Sequence, residues 1–567
     1  MPMSSAKSGN RESMSKVDTA WLRMERPTNL MMITGVMMLA DPLDVDRFKR
    51  ILSERFLAFR RFRQKAVDGP GGAYWEIDED FDLDWHVRVI ALPGNSGRME
   101  LQRLCSQLAS TPLDYSKPRW QFHIVERYGQ GCALITRIHH CYADGVALIE
   151  VLLSLTDVTP DAEHKAALAK VWFKEGRGGV VERLVAPARQ GVSQLVHLGE
   201  TLLEKARQIL HDPEVLGRVV HEGSEIAREL AHALSLPDDP PTRFRGPLGV
   251  SKRCAWGEPM PIDEVKVVGK ALGCTVNDVL MACATGALRA YLIEKGSDPD
   301  GIDIRATVPV NLRPLEHAKE LGNHFGLVFL TLPIGEANPL RRLERIAESM
   351  REIKRSRQAV MAFGLLAAIG MSPAALQGPA LEMFSRKATA VATNVPGPQI
   401  PLYFAGSRID DQMFWVPQTG SIGMGISILS YNGRVHFGLI ADAKLVPDPG
   451  KVIGRFAAEF EKLVLATLME DWDDDITSHG ASITLGRYAP EAGIGAEATA
   501  KPAGGGAAGQ SKAKSTPGAA TVMNGKPKTR PKISKAKSTV AKGRVPMHKP
   551  RARGCSIWPD QAGSSRA

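Results

Sequence analysis

The chain has 567 residues, of which 44% are hydrophobic and 24% are charged, so it is long enough for two or more globular units with substantial cores. Its seven cysteines are an odd number at irregular spacings without a CxxC pair, which excludes a disulfide-stapled scaffold and offers no zinc or redox motif. The first twenty residues contain no apolar run of the kind that an export signal needs. We therefore expect a protein of the reducing cytosol.

The formal net charge of +10 is unevenly distributed along the chain. Residues 498–567 contain 15 Lys and Arg residues and a single acidic residue, Asp560, whereas the rest of the chain has a net charge of −4. The longest charge-free stretch, residues 359–381, is interrupted by glycines and prolines, which would break a lone helix in lipid. It is therefore predicted to be interior or interfacial and not to span a membrane.

Hydrophobic periodicity predicts an N-terminal αβ unit over residues 16–160, after a disordered start at 1–15. A run of apolar residues predicts a buried strand, and two alternating segments around Gly129-Gln130-Gly131 predict a hairpin. The predicted strands are 31–39, 74–77, 87–92, 121–128 and 132–138, and the predicted helices are 45–56 and 146–155.

Residues 161–245 show helical periodicity and are predicted to form a connector, which the segment Pro237-Asp238-Asp239-Pro240-Pro241 ends. A second αβ unit is predicted over 246–475. A low-complexity tail, 476–567, is rich in Ala, Gly, Lys, Pro and Ser and is predicted to be disordered. The second unit has predicted helices at 276–292, 340–357 and 452–469 and predicted strands at 304–310, 422–429 and 435–441.

The segment with the clearest chemical potential directly follows the hairpin and reads His139-His140-Cys141-Tyr142-Ala143-Asp144-Gly145. A short loop between a strand and a helix holds its side chains rigidly, as a catalytic base requires. Because neighbouring side chains of an extended segment point in opposite directions, only one of the two histidines can enter a given site. The alternative is that a histidine at a strand end is a hydrogen-bonded structural residue.

The HHxxxDG spacing is typical of the acyltransferase superfamily that includes chloramphenicol acetyltransferase, carnitine acyltransferases and peptide-synthetase condensation domains. From residue 14 to 473 the chain resembles the bacterial bifunctional wax ester synthase/diacylglycerol acyltransferase family. The matching stretches are 17–22, 25–29, 118–120, 139–145, 275–279, 308–313, 322–323 and 393–398. One departure is Arg119, where the family usually has Leu, and it concerns local packing more than chemistry.

The resemblance implies an α/β (α+β) fold with two chloramphenicol-acetyltransferase-like subdomains, joined by the helical connector. It also implies that His140 is the general base and that His139 and Asp144 support it. For Asp144 two roles are open: it orients the imidazole, or it caps the following helix and pairs with a distant arginine such as Arg313. A rival mechanism would make Cys141 a nucleophile.

The family resemblance also suggests substrate-binding residues. Asn277 and Asp278 begin a helix and could be simple capping residues, whereas the resemblance places them near the active-site channel. Thr393 and Asn394 precede a stiff Val-Pro-Gly-Pro turn and are candidates for a substrate or oxyanion contact. Residues 359–371, including Gly364 and Gly370, could line an acyl tunnel or form an ordinary buried helix.

The implied activity is transfer of a long-chain acyl group from acyl-CoA to diacylglycerol or to a fatty alcohol, without an acyl-enzyme and without a cofactor. The implied partners are these substrates, a membrane or lipid-inclusion surface, and a second copy as an open question, with nucleic acid not expected. The predicted location is therefore the cytoplasm, at the inner membrane face or on lipid inclusions. Two alternatives remain: a condensation-type enzyme using carrier-bound acyl groups, or a nonenzymatic inclusion-binding or nucleic-acid-binding protein acting through its basic tail.

Overall fold

A computed structural model describes residues 11–69, 72–161, 236–312, 321–355, 362 and 374–469, all of which belong to one compact unit, Met1–Ala492. Most of the predicted connector, the predicted tail and nearly all of the predicted tunnel stretch therefore lie outside the described residues. So do Arg313, Gly364 and Gly370.

Two large mixed sheets and one small sheet form the framework. The strands are β1 Arg11–Ser13, β2 Met32–Leu39, β3 Gln64–Gly69, β4 Gly72–Ile77, β5 Val87–Ile90, β6 Trp120–Tyr128, β7 Gly131–His139, β8 Thr156–Asp157, β9 Lys252–Trp256, β10 Met260–Pro261, β11 Ile304–Asn311, β12 Phe325–Leu332, β13 Ala390–Pro396, β14 Tyr403–Phe404, β15 Ser407–Trp415, β16 Met424–Tyr431 and β17 Arg434–Asp442. The first large sheet has seven strands in the order β5-β6-β7-β2-β15-β14-β8, and the second has β10-β17-β16-β13-β11-β12 with β9 also paired to β17. The small sheet has the order β1-β4-β3.

Ten α-helices of the described part pack against these sheets. They are α1 Lys16–Met24, α2 Val45–Ile51, α3 Leu83–His86, α4 Arg98–Ala109, α5 Gly145–Leu155, α6 Ile262–Ala271, α7 Val276–Glu294, α8 Pro339–Arg355, α9 Ala374–Ser385 and α10 Gly450–Met469. Within the described residues, α7 alone has the length and hydropathy to cross a membrane, and 72% of its apolar stretch is buried inside the protein. Its side chains contribute Val279, Leu280 and Leu288 to the largest hydrophobic core cluster.

The predicted hairpin is present as β6 and β7, which pair antiparallel around a turn in which Gly129 has a φ of 59°. Every residue of β7 is buried, because the strand lies between β6 and β2 in the middle of its sheet. This central position fixes the end of β7, and therefore the start of the HHxxxDG loop.

The boundary predicted between the two αβ units is crossed by a returning segment. Strand β15, from the C-terminal part of the chain, pairs antiparallel with β2 in the N-terminal sheet, and β14 pairs with β8. A buried cluster then joins both sheets, since it contains Val36 and Met413 from the first and Trp256 and Ile440 from the second. Residues 246–475 therefore do not form a unit separate from the N-terminal one, because β14 and β15 of this stretch belong to the first large sheet.

The N-terminal boundary also differs from the prediction. Strand β1, within the stretch 1–15 that was predicted to be disordered, pairs with residues 74–76 of β4. Helix α1 then starts at Lys16, where the Ser15 side chain accepts a hydrogen bond from the Asp18 backbone N–H. The prediction of disorder is thus wrong for residues 11–15, and the ordered segment brings α1 to the site described next.

Candidate active site

The HHxxxDG loop connects the end of β7 to the start of α5. The backbone N–H of His140 donates to the Met31 carbonyl at 2.7 Å, and the N–H of Tyr142 donates to the His139 carbonyl at 3.1 Å. Asp144 caps α5, because its Oδ1 accepts from the Ala147 N–H at 2.9 Å. Backbone and cap together hold the loop in one short, rigid conformation.

His140 lies in an aromatic environment made by residues from distant parts of the chain. Its ring stacks on Trp21 of α1, with 4.1 Å between ring centroids and 20° between the planes, and lies 5.5 Å from the ring of Phe325 in β12. Burial lowers the pKa of His140 to about 4, although the negative charge of Asp144 acts in the opposite direction. The imidazole is therefore neutral at physiological pH and able to accept a proton.

His139 lies in a different, charged environment. Its Nδ1 accepts from the Cys141 backbone N–H at 3.1 Å, so its Nε2 carries the hydrogen and donates to Glu25 at 3.2 Å. Glu25 also pairs with Arg119, whose Nη1 lies 3.5 Å from the same carboxylate oxygen. Burial lowers the pKa of His139, whereas its hydrogen bond to Glu25 raises it. The two adjacent imidazoles thus have separate partners, as the extended backbone predicts.

Arg119 stands where the family that the sequence resembles usually has Leu, and its positive charge is paired with the carboxylate of Glu25. Besides Glu25, its guanidinium donates to the Ala66 carbonyl at 3.2 Å and lies 4.5 Å from the centre of the Tyr115 ring. It borders a cavity of about 490 Å³ that Leu22, Leu30 and Val250 also line. Its positive charge therefore belongs to a local ion-pair cluster and not to an open anion site.

Asp144 links the loop to the C-terminal part of the chain. Its Oδ2 accepts from the His324 backbone N–H at 2.9 Å, and its own N–H donates to the Gly322 carbonyl at 3.2 Å. Gly322 has a φ of 119°, a region that favours glycine. These contacts are those of a loop-holding residue, and Asp144 influences His140 through its charge.

Asn323 lies between the HHxxxDG loop and α1. Its Nδ2 donates to the carbonyl oxygen of His140 at 2.9 Å and to Oδ1 of Asp18 at 2.8 Å. Asp18, Asn323 and His324 also line a second cavity, of about 260 Å³. Trp21, Asp18 and Asn323 lie within the family-like stretches 17–22 and 322–323, but the sequence pattern indicates no role for them. An acidic residue on a largely buried helix is the signal that could have singled out Asp18.

Cys141 is completely buried, and burial raises its pKa far above the usual range of a thiol. A thiolate is the form that attacks a thioester, so this environment opposes the rival mechanism with Cys141 as the nucleophile.

The four other predicted substrate-binding residues in the described ranges take part in three separate sets of hydrogen bonds. Asn394 donates from Nδ2 to Oδ1 of Asn277 at 2.6 Å, whereas the side chain of Thr393 bonds to the Ile426 carbonyl and to Ser427. Asp278 forms a capping box with Thr275 at the start of α7. Within the described ranges, none of the four is in hydrogen-bond or ring contact with His140, so their predicted roles remain predictions. The same ranges contain no group of three or more His, Cys, Asp and Glu residues that could hold a metal ion.

Comparisons with known proteins agree on one family. A sequence model described as the wax ester synthase/diacylglycerol acyltransferase catalytic domain matches residues 14–280, and one described as the WS/DGAT C-terminal domain matches residues 321–464. Two Mycobacterium tuberculosis proteins, named "Probable diacyglycerol O-acyltransferase tgs2" and "Putative diacyglycerol O-acyltransferase Rv0895", are each 29% identical to this chain. The first match covers 79% of this chain and 97% of the relative, and the second covers 80% and 90%.

A solved structure gives the same result for the fold. The wax ester synthase/diacylglycerol acyltransferase from Marinobacter aquaeolei VT8 superimposes with a TM-score of 0.57 at 21% identity, over 81% of this chain and all of that chain. This similarity confirms the predicted α/β architecture. From the two matching domains and the shared fold, we conclude that the chain belongs to the wax ester synthase/diacylglycerol acyltransferase family.

Proposed function

We propose that this protein is an O-acyltransferase that transfers a long-chain acyl group from acyl-CoA to the hydroxyl of diacylglycerol, of a long-chain fatty alcohol, or of both. The observation that carries the proposal is a buried, neutral imidazole, His140, at the end of β7 in a chain whose family matches span both halves. Its relatives named as diacylglycerol O-acyltransferases support diacylglycerol as an acceptor. The name of the family supports the alcohol as well.

In the proposed reaction, His140 removes the proton of the acceptor hydroxyl while the oxygen attacks the thioester carbonyl. The tetrahedral intermediate collapses as the carbon–sulfur bond breaks, and the imidazolium gives its proton to the departing thiolate. The products are an ester and free CoA. Atoms and charges balance with no covalent acyl-enzyme and no added cofactor, because acyl-CoA is itself a substrate.

The surroundings of His140 suit this role. A neutral ring is available as a base at every physiological pH, and positive charge appears on it only as the reaction proceeds. The negative charge of Asp144 favours that imidazolium, as its effect on the pKa of His140 indicates. In this proposal, Asp144 acts by charge and by holding the loop, and His139 acts by fixing the loop through Glu25.

Lipid acceptors are insoluble in water, so we further propose that the protein works at the surface of a membrane or a lipid inclusion on the cytoplasmic side. Support comes from the end of α10, where Leu465, Leu468 and Met469 are 59%, 74% and 84% exposed. The basic stretch 498–567 follows in the sequence and would be attracted to anionic headgroups. Dimerisation is a separate possibility that gel filtration with light scattering decides.

A competition assay tests the proposed activity. Purified protein is incubated with palmitoyl-CoA together with hexadecanol and dipalmitoylglycerol, and free CoA, wax ester and triacylglycerol are measured. We expect one ester formed for each CoA released, and the ratio of the two esters gives the preferred acceptor. Release of CoA without ester would identify a hydrolase and overturn the proposal.

The tail is tested separately by ending the chain after Glu497. We expect unchanged turnover on detergent-dispersed substrate and weaker binding to vesicles that contain anionic lipid. Loss of turnover on dispersed substrate would instead favour a protein that acts through its tail.

A further inference from the structure

The segment before β12 and the start of α1 meet at the backbone of His140. Asn323 uses both hydrogens of its side-chain amide, one on the His140 carbonyl at 2.9 Å and one on Asp18 Oδ1 at 2.8 Å. Its backbone N–H donates to the same Asp18 oxygen at 3.2 Å. Because both side-chain partners are acceptors, the orientation of the amide is fixed: the nitrogen must face them and the oxygen must face away.

All three residues are buried, so this arrangement is not a solvent-exchanging surface contact. Asp18 is 3% exposed, Asn323 is 2% exposed and His140 is 4% exposed. Burial raises the pKa of Asp18, whereas its hydrogen bonds with Asn323 and Ser15 lower it. A buried carboxyl group is expensive to retain, and Oδ1 of Asp18 here accepts from both the side-chain amide and the backbone N–H of one residue, Asn323.

Two further buried polar atoms belong to the same group of residues, Asp18, Asn323 and His140. Oδ1 of Asn323 and Nδ1 of His140 have no hydrogen-bond partner among the described residues. An amide oxygen is an acceptor, and Nδ1 of an imidazolium is a donor. Burial lowers the pKa of His140, but the side chain of Asn323 is among the groups that raise it, which favours the imidazolium that the reaction forms.

We propose that Asp18 and Asn323 are positioning residues for His140. Asp18 holds the amide of Asn323, and Asn323 holds the His140 carbonyl and so fixes the direction of the imidazole towards the acceptor hydroxyl. The base is thus oriented by α1 and by the segment before β12, so it takes up its working geometry only when both parts of the chain are in place. This inference rests on the proposed function of His140.

The test compares turnover of purified full-length variants with palmitoyl-CoA and dipalmitoylglycerol in detergent micelles. For Asn323→Ala we expect kcat to fall about 100-fold with KM changed less than about 3-fold, because a misdirected base slows the chemical step more than binding. For Asp18→Ala we expect kcat to fall about 10-fold. For Asp18→Asn, which keeps an oxygen acceptor, we expect a kcat within about 3-fold of that of the parent.

The double variant Asp18→Ala/Asn323→Ala gives the sharpest result. If Asp18 acts only through Asn323, the double variant is no slower than Asn323→Ala alone. Ser106→Ala is the matched control. It removes another buried hydrogen bond between residues far apart in the sequence, from the Cys254 N–H at 2.9 Å, and is expected to lower the melting temperature with kcat within about 2-fold of the parent.

Two outcomes overturn the positioning role: a folded Asn323→Ala variant with the parent kcat, or losses that multiply in the double variant. Should Asn323→Ala fail to fold, Asn323→Ser is used, since one hydroxyl can donate to only one of the two acceptors. A drop of about 10-fold in its kcat supports the proposal, and an unchanged kcat overturns it. His140→Ala separates the two levels, because full activity in that variant overturns the proposed role of His140 as the general base.

Discussion

The neighbouring imidazoles His139 and His140 differ in environment, although they share the same strand end. His139 donates to Glu25, and His140 stacks on Trp21. The carboxylate at His139 opposes the effect of burial on its pKa, whereas the aromatic contacts of His140 exclude water and keep its ring neutral. Because both ring nitrogens of His139 are hydrogen-bonded, His140 is the better candidate of the two for the proposed proton transfer.

The buried thiol next to His140 allows a direct test of the mechanism. Cys141→Ala is expected to keep kcat within about 2-fold, because the thiol is protonated and no acyl-enzyme is needed. Loss of the buried sulfur should lower the free energy of unfolding by about 1 kcal/mol. Steady-state kinetics and urea unfolding measure the two effects, and a folded but inactive variant would restore the nucleophile mechanism.

The ion-pair cluster at Arg119 allows a test with a matched double variant. Arg119→Leu, which introduces the residue usual in the family, leaves the Glu25 carboxylate with His139 alone and should lower the free energy of unfolding by about 2–3 kcal/mol. Adding Glu25→Gln should recover most of the lost free energy of unfolding, because no unpaired buried charge remains. Urea unfolding of the single and double variants is the measurement, and losses that simply add would contradict the assignment.

At the level of elements, Asp144 connects α5 with the segment before β12. One carboxylate oxygen caps α5 through the Ala147 N–H, and the other accepts from the His324 N–H. A single side chain thus fixes the start of the helix and the approach of the C-terminal part of the chain.

Replacing this side chain should therefore affect stability and rate together. Asp144→Ala is expected to lower the free energy of unfolding by about 2–3 kcal/mol, the sum of a lost cap and a lost buried hydrogen bond. Asp144→Asn should lower the free energy of unfolding by less, since its amide oxygen can still accept one of the two hydrogen bonds. Chemical denaturation gives the stability. Wild-type stability for Asp144→Ala would show that the cap contributes nothing.

Sequence patterns located most elements whose signal is local. The hairpin β6–β7, the helices α5 and α7 and the strands β16 and β17 begin and end within about two residues of prediction, because turn glycines, caps and apolar periods mark them. The stack of Trp21 and Phe325 on His140 and the contacts of Asn323 could not be predicted in this way. They join residues far apart in sequence, and periodicity carries no information about which elements meet.

At the scale of the whole molecule, the two large sheets are joined by exchange of chain segments. Strand β15 returns to the N-terminal sheet beside β2, so neither αβ unit is completed by a continuous stretch of sequence. The sequence predicted two units in succession because strand patterns do not reveal the sheet that a strand joins. The hydrogen bonds of Asn323 likewise join the segment before β12 to α1 and to the HHxxxDG loop.

Buried neutral histidines give the folded protein a predictable response to acid. Burial lowers the pKa of His140 and His436 to about 4 and that of His123 to about 3, against 6.5 for an exposed imidazole. Between pH 6.5 and about 4 the unfolded chain therefore binds more protons than the folded one, so the free energy of unfolding falls as the pH is lowered.

This effect can be assigned to single residues. In that pH window, His436→Gln should reduce the slope of the unfolding free energy against pH by the contribution of about one proton. Activity at pH 7 should not change. Urea unfolding at a series of pH values measures the slope. An unchanged slope would contradict the neutral state of His436.

The central claim, that His140 is the general base, is tested most directly by the rate of His140→Gln on palmitoyl-CoA and dipalmitoylglycerol at pH 7. With circular dichroism and melting temperature close to those of the parent, we predict that triacylglycerol formation falls about 10²–10⁴-fold. A well-folded variant that forms triacylglycerol at the parent rate would contradict the claim.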